Sequence, residues 1–167
     1  MDSMSKESST TPDTSFDVIV IGAGFSGIYM LYRMVNLGLK VRLLEEASGA
    51  GGTWYWNRYP GARCDIESME YSYSFSEQLQ QEWKWTDKYS SQPEILEYAK
   101  HVVERFDLSR FIAFDSRVAS ATYDENETTW VIELETGQRY HARYCVMATG
   151  TLSSVNAPDF PGLESYR

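Results

Sequence analysis

The stretch Asp17-Val18-Ile19-Val20-Ile21-Gly22-Ala23-Gly24-Phe25-Ser26-Gly27 decides the fold. Its apolar run predicts a buried strand, and the glycines that follow predict a tight turn. Beyond the turn, Ile28, Leu31, Tyr32 and Val35 recur at three- and four-residue spacing, which predicts a helix, and Gly38 is a suitable stop. A second strand is read over residues 40–45. Glycines at the first two positions of such a turn let a phosphate approach the N–H groups that open a helix, while Gly27 lets helix and strand pack closely.

A lone glycine triplet also occurs by chance in loops. Here it lies between strand and helix, and Glu45 ends the next strand 18 positions after Gly27, near the offset of about 20 expected for ribose recognition. A carboxylate there accepts from ribose hydroxyls and repels a 2′-phosphate, so the site is read as holding the ADP half of FAD or NAD. Two alternatives stay open. The glycines could form a turn in a nucleotide-free sheet, and Glu46 could replace Glu45, which is favoured because it directly follows Val41-Arg42-Leu43-Leu44.

With 167 residues the chain can bury one good core, and its net charge of -9 argues against nucleic acid or an anionic membrane as partner. Cys64 and Cys145 lie far apart without metal-ligand spacing, so neither a disulfide nor a metal site is expected. No apolar run reaches the roughly 18 residues of a membrane span. Residues 1–15 are polar, lack the features of a secretory signal and are read as a disordered tail. The expected location is the cytoplasm.

After Glu45 the periodicity disappears through Ala47-Ser48-Gly49-Ala50-Gly51-Gly52-Thr53-Trp54-Tyr55-Trp56-Asn57-Arg58-Tyr59-Pro60-Gly61-Ala62-Arg63-Cys64-Asp65. A segment this long and this aromatic is read as the wall of a cofactor pocket rather than disorder. Alternatively, its aromatic rings only fill the core of an irregular loop. Tyr71, Tyr73 and Phe75 alternate with serines and suggest a short strand or extended segment; residues 78–89 suggest a short helix and a turn. Ser91-Gln92-Pro93-Glu94 reads as a helix start, with Ser91 as cap and Glu94 answering it. That helix runs to about Phe106 on Ile95, Leu96, Ala99, Val102 and Val103, with His101 on its surface. Strands are read over residues 111–115, 117–123, 129–135 and 139–142 as an antiparallel meander, with His141 structural. Residues 144–148 then form an apolar strand that returns to the parallel sheet, so Ala148-Thr149-Gly150 lie at the same edge as the first glycine turn. The fold class is therefore α/β, a Rossmann-like parallel sheet with flanking helices plus an antiparallel β-meander.

Together, Gly22-Ala23-Gly24-Phe25-Ser26-Gly27, residues 51–65, Gln92-Pro93-Glu94 and Ala148-Thr149-Gly150 resemble the N-terminal region of FAD-containing Baeyer-Villiger monooxygenases, nearest the phenylacetone and steroid monooxygenase branch. The most specific part is Gly51, Gly52, Trp54, Tyr59, Pro60, Gly61 and Asp65. The resemblance implies an oxidoreductase, a flavoprotein monooxygenase that uses FAD and NADPH to insert one oxygen atom of O2 beside a ketone carbonyl, giving an ester or lactone. It implies that Gly22, Gly24, Ser26 and Gly27 hold the pyrophosphate and Glu45 the ribose. Gly52, Thr53, Trp54, Tyr55, Trp56, Asp65 and Tyr71 would line the flavin, the Val118 backbone would meet the adenine, and Ala148, Thr149 and Gly150 would lie beside the cofactor. Arg63, Cys64 and Asp65 would lie where nicotinamide nears the flavin. Asp65 is the candidate for orienting a neighbouring arginine.

The family's NADPH-binding fold and its His-containing fingerprint are not met within these residues. Residues 16–156 are thus expected to be the N-terminal part of an FAD domain and 157–167 a linker towards an NADPH-binding domain, with the remainder of the same enzyme as partner and no turnover by the chain alone. The alternatives are an N- or S-oxidising flavin monooxygenase and a non-catalytic nucleotide-binding module.

Overall fold

The computed structural model describes residues 14–151 and 158–165. The tail read over residues 1–15 therefore lies almost wholly outside the described residues.

β1 (Ser15–Ile21) is the centre of a six-stranded sheet. It pairs in parallel with β2 (Val41–Leu44) on one side and β6 (Arg139–Met147) on the other. The two-residue β3 (Ile112–Ala113) extends the parallel part beyond β2. Beyond β6 the sheet turns antiparallel through β5 (Thr129–Leu134) and β4 (Val118–Asp124), giving the order β3-β2-β1-β6-β5-β4.

The apolar run of β1 is continuous because both faces are covered. Val18 and Val20 pack in a cluster with Ile28 and Leu31 of α1 (Phe25–Asn36) and Ala99, Val102 and Val103 of α4 (Gln92–Arg105). Ile19 faces the other way, onto Ile132, Leu134, Tyr140 and Ala142 of the antiparallel strands. Each fully buried Val, Leu or Ile side chain among these contributes about 1.5–3 kcal/mol. α1 ends as expected: Gly38 adopts φ +75° and its N–H donates to Val35 O at 2.9 Å.

The sheet corrects two details of the strand reading. Residues 139–142 and 144–148 are not separate strands, since β6 runs unbroken to Met147, with His141 and Ala142 paired to β5 on one side and β1 on the other. No turn-forming residue stands at Arg143 to break it. Residues 111–115 do not open the meander; Ile112 and Ala113 pair with Leu43 and Leu44 instead.

Three local expectations also change. Residues 71–75 join no strand: Tyr71 is in a turn, Ser72 and Phe75 are in bends, and Tyr73 and Ser74 are in no regular element; their rings are held by packing, Tyr73 on Phe25 and Tyr98, and Phe75 on Tyr32. At the start of α4, Ser91 is the N-cap but accepts no side-chain hydrogen bond. Glu94 turns away and its Oε1 accepts from Thr86 N at 2.8 Å, so the capping box is replaced by a tether to the preceding turn. His101 is half-buried against Trp83, ring centroids 5.3 Å apart. Within residues 78–89 the expected short helix is α3 (Glu77–Glu82), capped by Ser76 Oγ, which accepts from Leu79 N.

Candidate functional site

The C-terminal edge of the parallel strands carries the glycine turn, and the glycines there do different work. Gly22 has φ +101°, and a Cβ on it would sit 2.6 Å from Ala148 O. A Cβ on Gly27 would fall 1.8 Å from Gly22 O, so the turn and α1 touch backbone to backbone. Gly24 differs. It has ordinary dihedrals, φ -75° and ψ -175°, and a Cβ there would meet only Gly52 Cα, at 3.6 Å. Nothing among the described residues requires position 24 to lack a side chain. Gly24 is also the N-cap of α1, and no side chain caps that helix, so its opening N–H groups remain available to an anion.

Glu45 reaches this turn. It is 6% exposed; its Oε2 accepts from Ala23 N at 2.5 Å and its Oε1 from Ala47 N at 2.8 Å. The carboxylate thus joins the glycine turn to the loop after β2, with further lone pairs to accept from hydroxyls. Glu46 points elsewhere, exposed and 3.4 Å from Arg117. Ser116 N donates to Glu45 O and Asp115 N to Ala47 O. These bonds bring the start of β4, and Val118 with it, to the Glu45 end of the site.

The Gly51-Gly52 loop closes over the first glycine turn. Gly51 N donates to Ala23 O at 2.9 Å, and a Cβ on Gly52, at φ +54°, would lie 2.7 Å from Gly24 Cα. The chain then makes one helical turn, α2 (Thr53–Trp56), inside the segment read as irregular. Trp54 is buried and its Nε1 donates to Tyr71 OH at 2.7 Å. The Tyr71 ring meets Phe25, the first residue of α1, at 5.1 Å, so the aromatic segment is joined to the helix N-terminus. Burial pushes the Tyr71 phenol up, and the nearby Cys64 and Asp65 add to that against the lowering effect of Trp54. Cys64 is a free, buried thiol packed with Trp54, Ile95 and Leu96.

The other expected residues spread along the rim. Tyr55 OH bonds Ser48 Oγ at 2.7 Å and Arg58 lies over the Tyr55 ring. Thr53 is exposed and Trp56 is 57% exposed. Arg63 is turned to Tyr89 O, at 3.1 Å. Asp65 is exposed, as are Thr149 and Gly150; Ser26 is exposed on the first turn of α1. Ala148 N donates to Ile21 O, which anchors the second small-residue turn beside Gly22. Sequence reasoning gave no role to Tyr73, whose hydroxyl donates to Phe25 O at 2.6 Å, or to Gln92, whose Nε2 donates to Trp54 O. Tyr73 lies in a run of alternating aromatics and serines that says nothing of a distant partner, and Gln92 stands at a helix start; the signal for Gln92 was an amide beside a proline at that position, where an exposed residue is the norm. Among the described residues no group of three or more acidic, His or Cys side chains could hold a metal ion. No described helix is long and apolar enough to cross a membrane.

The family profile described as "Pyridine nucleotide-disulphide oxidoreductase" matches residues 19–167. The chain belongs to this family. Within it, the similar proteins are Baeyer-Villiger and related FAD monooxygenases. A phenazine N-monooxygenase from Lysobacter antibioticus is 48% identical over 155 residues, covering 92% of the chain and 29% of the relative. A Baeyer-Villiger monooxygenase from Pseudooceanicola batsensis is 43% identical over 162 residues, covering 96% and 30%. The solved structure of an oxidized steroid monooxygenase bound to NADP superimposes with TM-score 0.86 at 56% identity, over 90% of the chain and 29% of that structure's chain. The chain thus spans about three tenths of the length of the curated relatives it matches.

Proposed function

We propose that this chain forms the ADP-binding half and one flavin-facing wall of an FAD site in a Baeyer-Villiger type monooxygenase. The observation that carries this reading is Gly24: a position kept free of a side chain, with room for one, directly before an uncapped helix N-terminus. A diphosphate laid there explains both, through close backbone approach and the positive end of the helix dipole. Gly22 and Gly27 shape the turn, Ser26 adds a hydroxyl on the first turn of α1, and Glu45 accepts from the ribose. Val118 lies at the adenine end. Gly52, Thr53, Trp54, Tyr55, Trp56 and Tyr71 form the flavin side, with Ala148, Thr149 and Gly150 along the strand edge. Cys64 backs Trp54, Arg63 edges the rim where nicotinamide is expected, and Asp65 is a carboxylate placed to orient a cationic group near the flavin.

When bound, FAD supplies hydride acceptance from NADPH and activation of O2; the chain's own residues bind it, orient it and cover one side of it. Support for ketone oxygenation comes from the likeness to Baeyer-Villiger relatives. A second reading, oxygenation of an aromatic ring nitrogen, is favoured by the 48% identity to the phenazine N-monooxygenase. The test uses a full-length polypeptide carrying this sequence, supplied with FAD, NADPH and O2, and offered a cyclic ketone or a phenazine. Lactone formation is expected. N-oxide with no lactone would move the assignment to the second reading, and tight FAD binding with neither product would leave only the nucleotide site.

A further inference from the structure

Gln92 is the first residue of α4 and is 7% exposed, a buried polar side chain on an otherwise apolar stripe. Both its hydrogen-bonding arms point at one loop. Its side-chain Nε2 donates to Trp54 O in α2, and its backbone N donates to Ala62 O at 2.8 Å. The Trp54 carbonyl can only accept, which fixes the amide nitrogen rather than the oxygen towards it. Between these two carbonyls the chain bulges outward. Trp56 and Tyr59 are 57% and 63% exposed, and Arg58 and Pro60 are exposed as well. Little burial holds that bulge in place.

The two limbs are also coupled to the rest of the site. Arg63 forms an isolated bridge with Ser91, and Cys64 N donates to Ser90 O; these bonds tether the outgoing limb to the residues before α4. On the incoming limb, α2 is one turn long, so no further helical residue provides the usual fourth-residue donor for the Trp54 carbonyl. Gln92 fills that place. Through Trp54, whose indole N–H is held by Tyr71 OH, the amide is connected to the ring that touches the opening of α1.

We infer that Gln92 is a positioning residue: its amide clamps the Trp54–Ala62 excursion to α4 and so sets where the flavin-facing wall stands. This rests on the FAD reading for its functional half, whereas the clamp itself is a property of the chain without flavin. A clamp made of one donated hydrogen bond has a specific chemical signature. Methionine keeps the length and volume but cannot donate. Glutamate cannot donate when ionised, and can when protonated.

The experiment compares Gln92→Met and Gln92→Glu with the unaltered sequence, each in a full-length polypeptide carrying this chain. The first readout, taken without flavin, is the hydrogen-exchange protection of the Tyr55, Trp56, Asn57 and Ala62 amides, whose N–H groups are bonded within the loop. Leaving a buried carbonyl without its donor predicts exchange about tenfold or more faster in Gln92→Met, with β1, β2 and β6 unchanged. Gln92→Glu is expected to match Gln92→Met near neutral pH and to regain protection, measured against the intrinsic exchange rate at each pH, as pH falls and its carboxyl protonates, whereas Gln92→Met regains none. The second readout is FAD affinity with the visible band shape of the bound flavin; affinity falls by about tenfold with the clamp broken, and the band shifts towards that of free flavin. Unchanged loop protection in Gln92→Met, or protection in Gln92→Glu that does not change with pH, overturns the clamp. A loop that responds as expected while FAD affinity and band shape do not overturns the positioning role. If the unaltered full-length polypeptide shows no FAD binding while the loop still responds, the FAD reading fails and takes the flavin half of the inference with it; the loop clamp stands.

Discussion

Replacing Gly24 by alanine separates a glycine kept for the fold from one kept for a ligand. Among the described residues the added methyl meets only Gly52 Cα, at 3.6 Å, an ordinary contact, and the backbone at φ -75° and ψ -175° suits an L-residue. The fold therefore pays only the weaker N-cap preference of alanine relative to glycine, about 0.5–1 kcal/mol. A diphosphate resting on the same backbone loses its approach. Displacing it from one N–H of the first helical turn removes a charge-assisted hydrogen bond of about 1.5–3 kcal/mol, which corresponds to roughly 10- to 150-fold in affinity. In a full-length polypeptide carrying this sequence, urea denaturation gives the first quantity, and titration with FAD followed by quenching of tryptophan emission gives the second. Near-normal stability with sharply weakened FAD binding is the expected pair of results. Gly24→Ala that binds FAD like the unaltered chain would show that the diphosphate does not lie over position 24, and the central argument for the site would fail.

Gly27→Ala should behave in the opposite way: its Cβ would fall 1.8 Å from Gly22 O, so a loss of several kcal/mol in urea stability, or no folded protein, is expected with or without FAD. Glu45→Gln puts an amide N–H₂ against the amide of either Ala23 or Ala47, both of which now donate to carboxylate oxygens; stability should fall by about 1–3 kcal/mol and FAD affinity with it, as read by denaturation and titration. Tyr73 and Tyr98 carry phenols pushed above the ordinary 10.0, chiefly by burial. Above that pH the unfolded chain gives up protons that the folded chain keeps, so stability present below pH 10 declines as pH rises towards the folded-state values. Tyr73→Phe should flatten that alkaline decline; an unchanged slope in a urea-stability series across alkaline pH would contradict it.

Much of this protein is legible in its sequence because the deciding signals are local. The β1 strand, the glycine turn, α1 and the second strand follow from spacing over about thirty residues, and the position of Glu45 after Leu44 follows from the end of an apolar run. Short-range periodicity reports which face is buried, and glycine reports where backbone must approach backbone or ligand. The choice between Glu45 and Glu46 had only adjacency to recommend it; the structure places Glu45 on Ala23 N and Glu46 beside Arg117.

What only the tertiary structure decided are the pairings between distant segments. Residues 139–147 form one strand because two different neighbours, β5 and β1, take successive and overlapping parts of it, and a strand's own sequence does not say which partners lie on either side. Ile112 and Ala113 have the composition of a meander strand, yet the free edge of β2 captures them. Gln92 has the sequence of a routine helix start; its importance comes from a carbonyl 38 residues earlier that only the folded chain brings within reach. Spacing determines local conformation, because neighbouring residues share it whatever surrounds them. Partners across the sheet and across the loop are set by which unsatisfied backbone groups and apolar faces meet once the chain is compact.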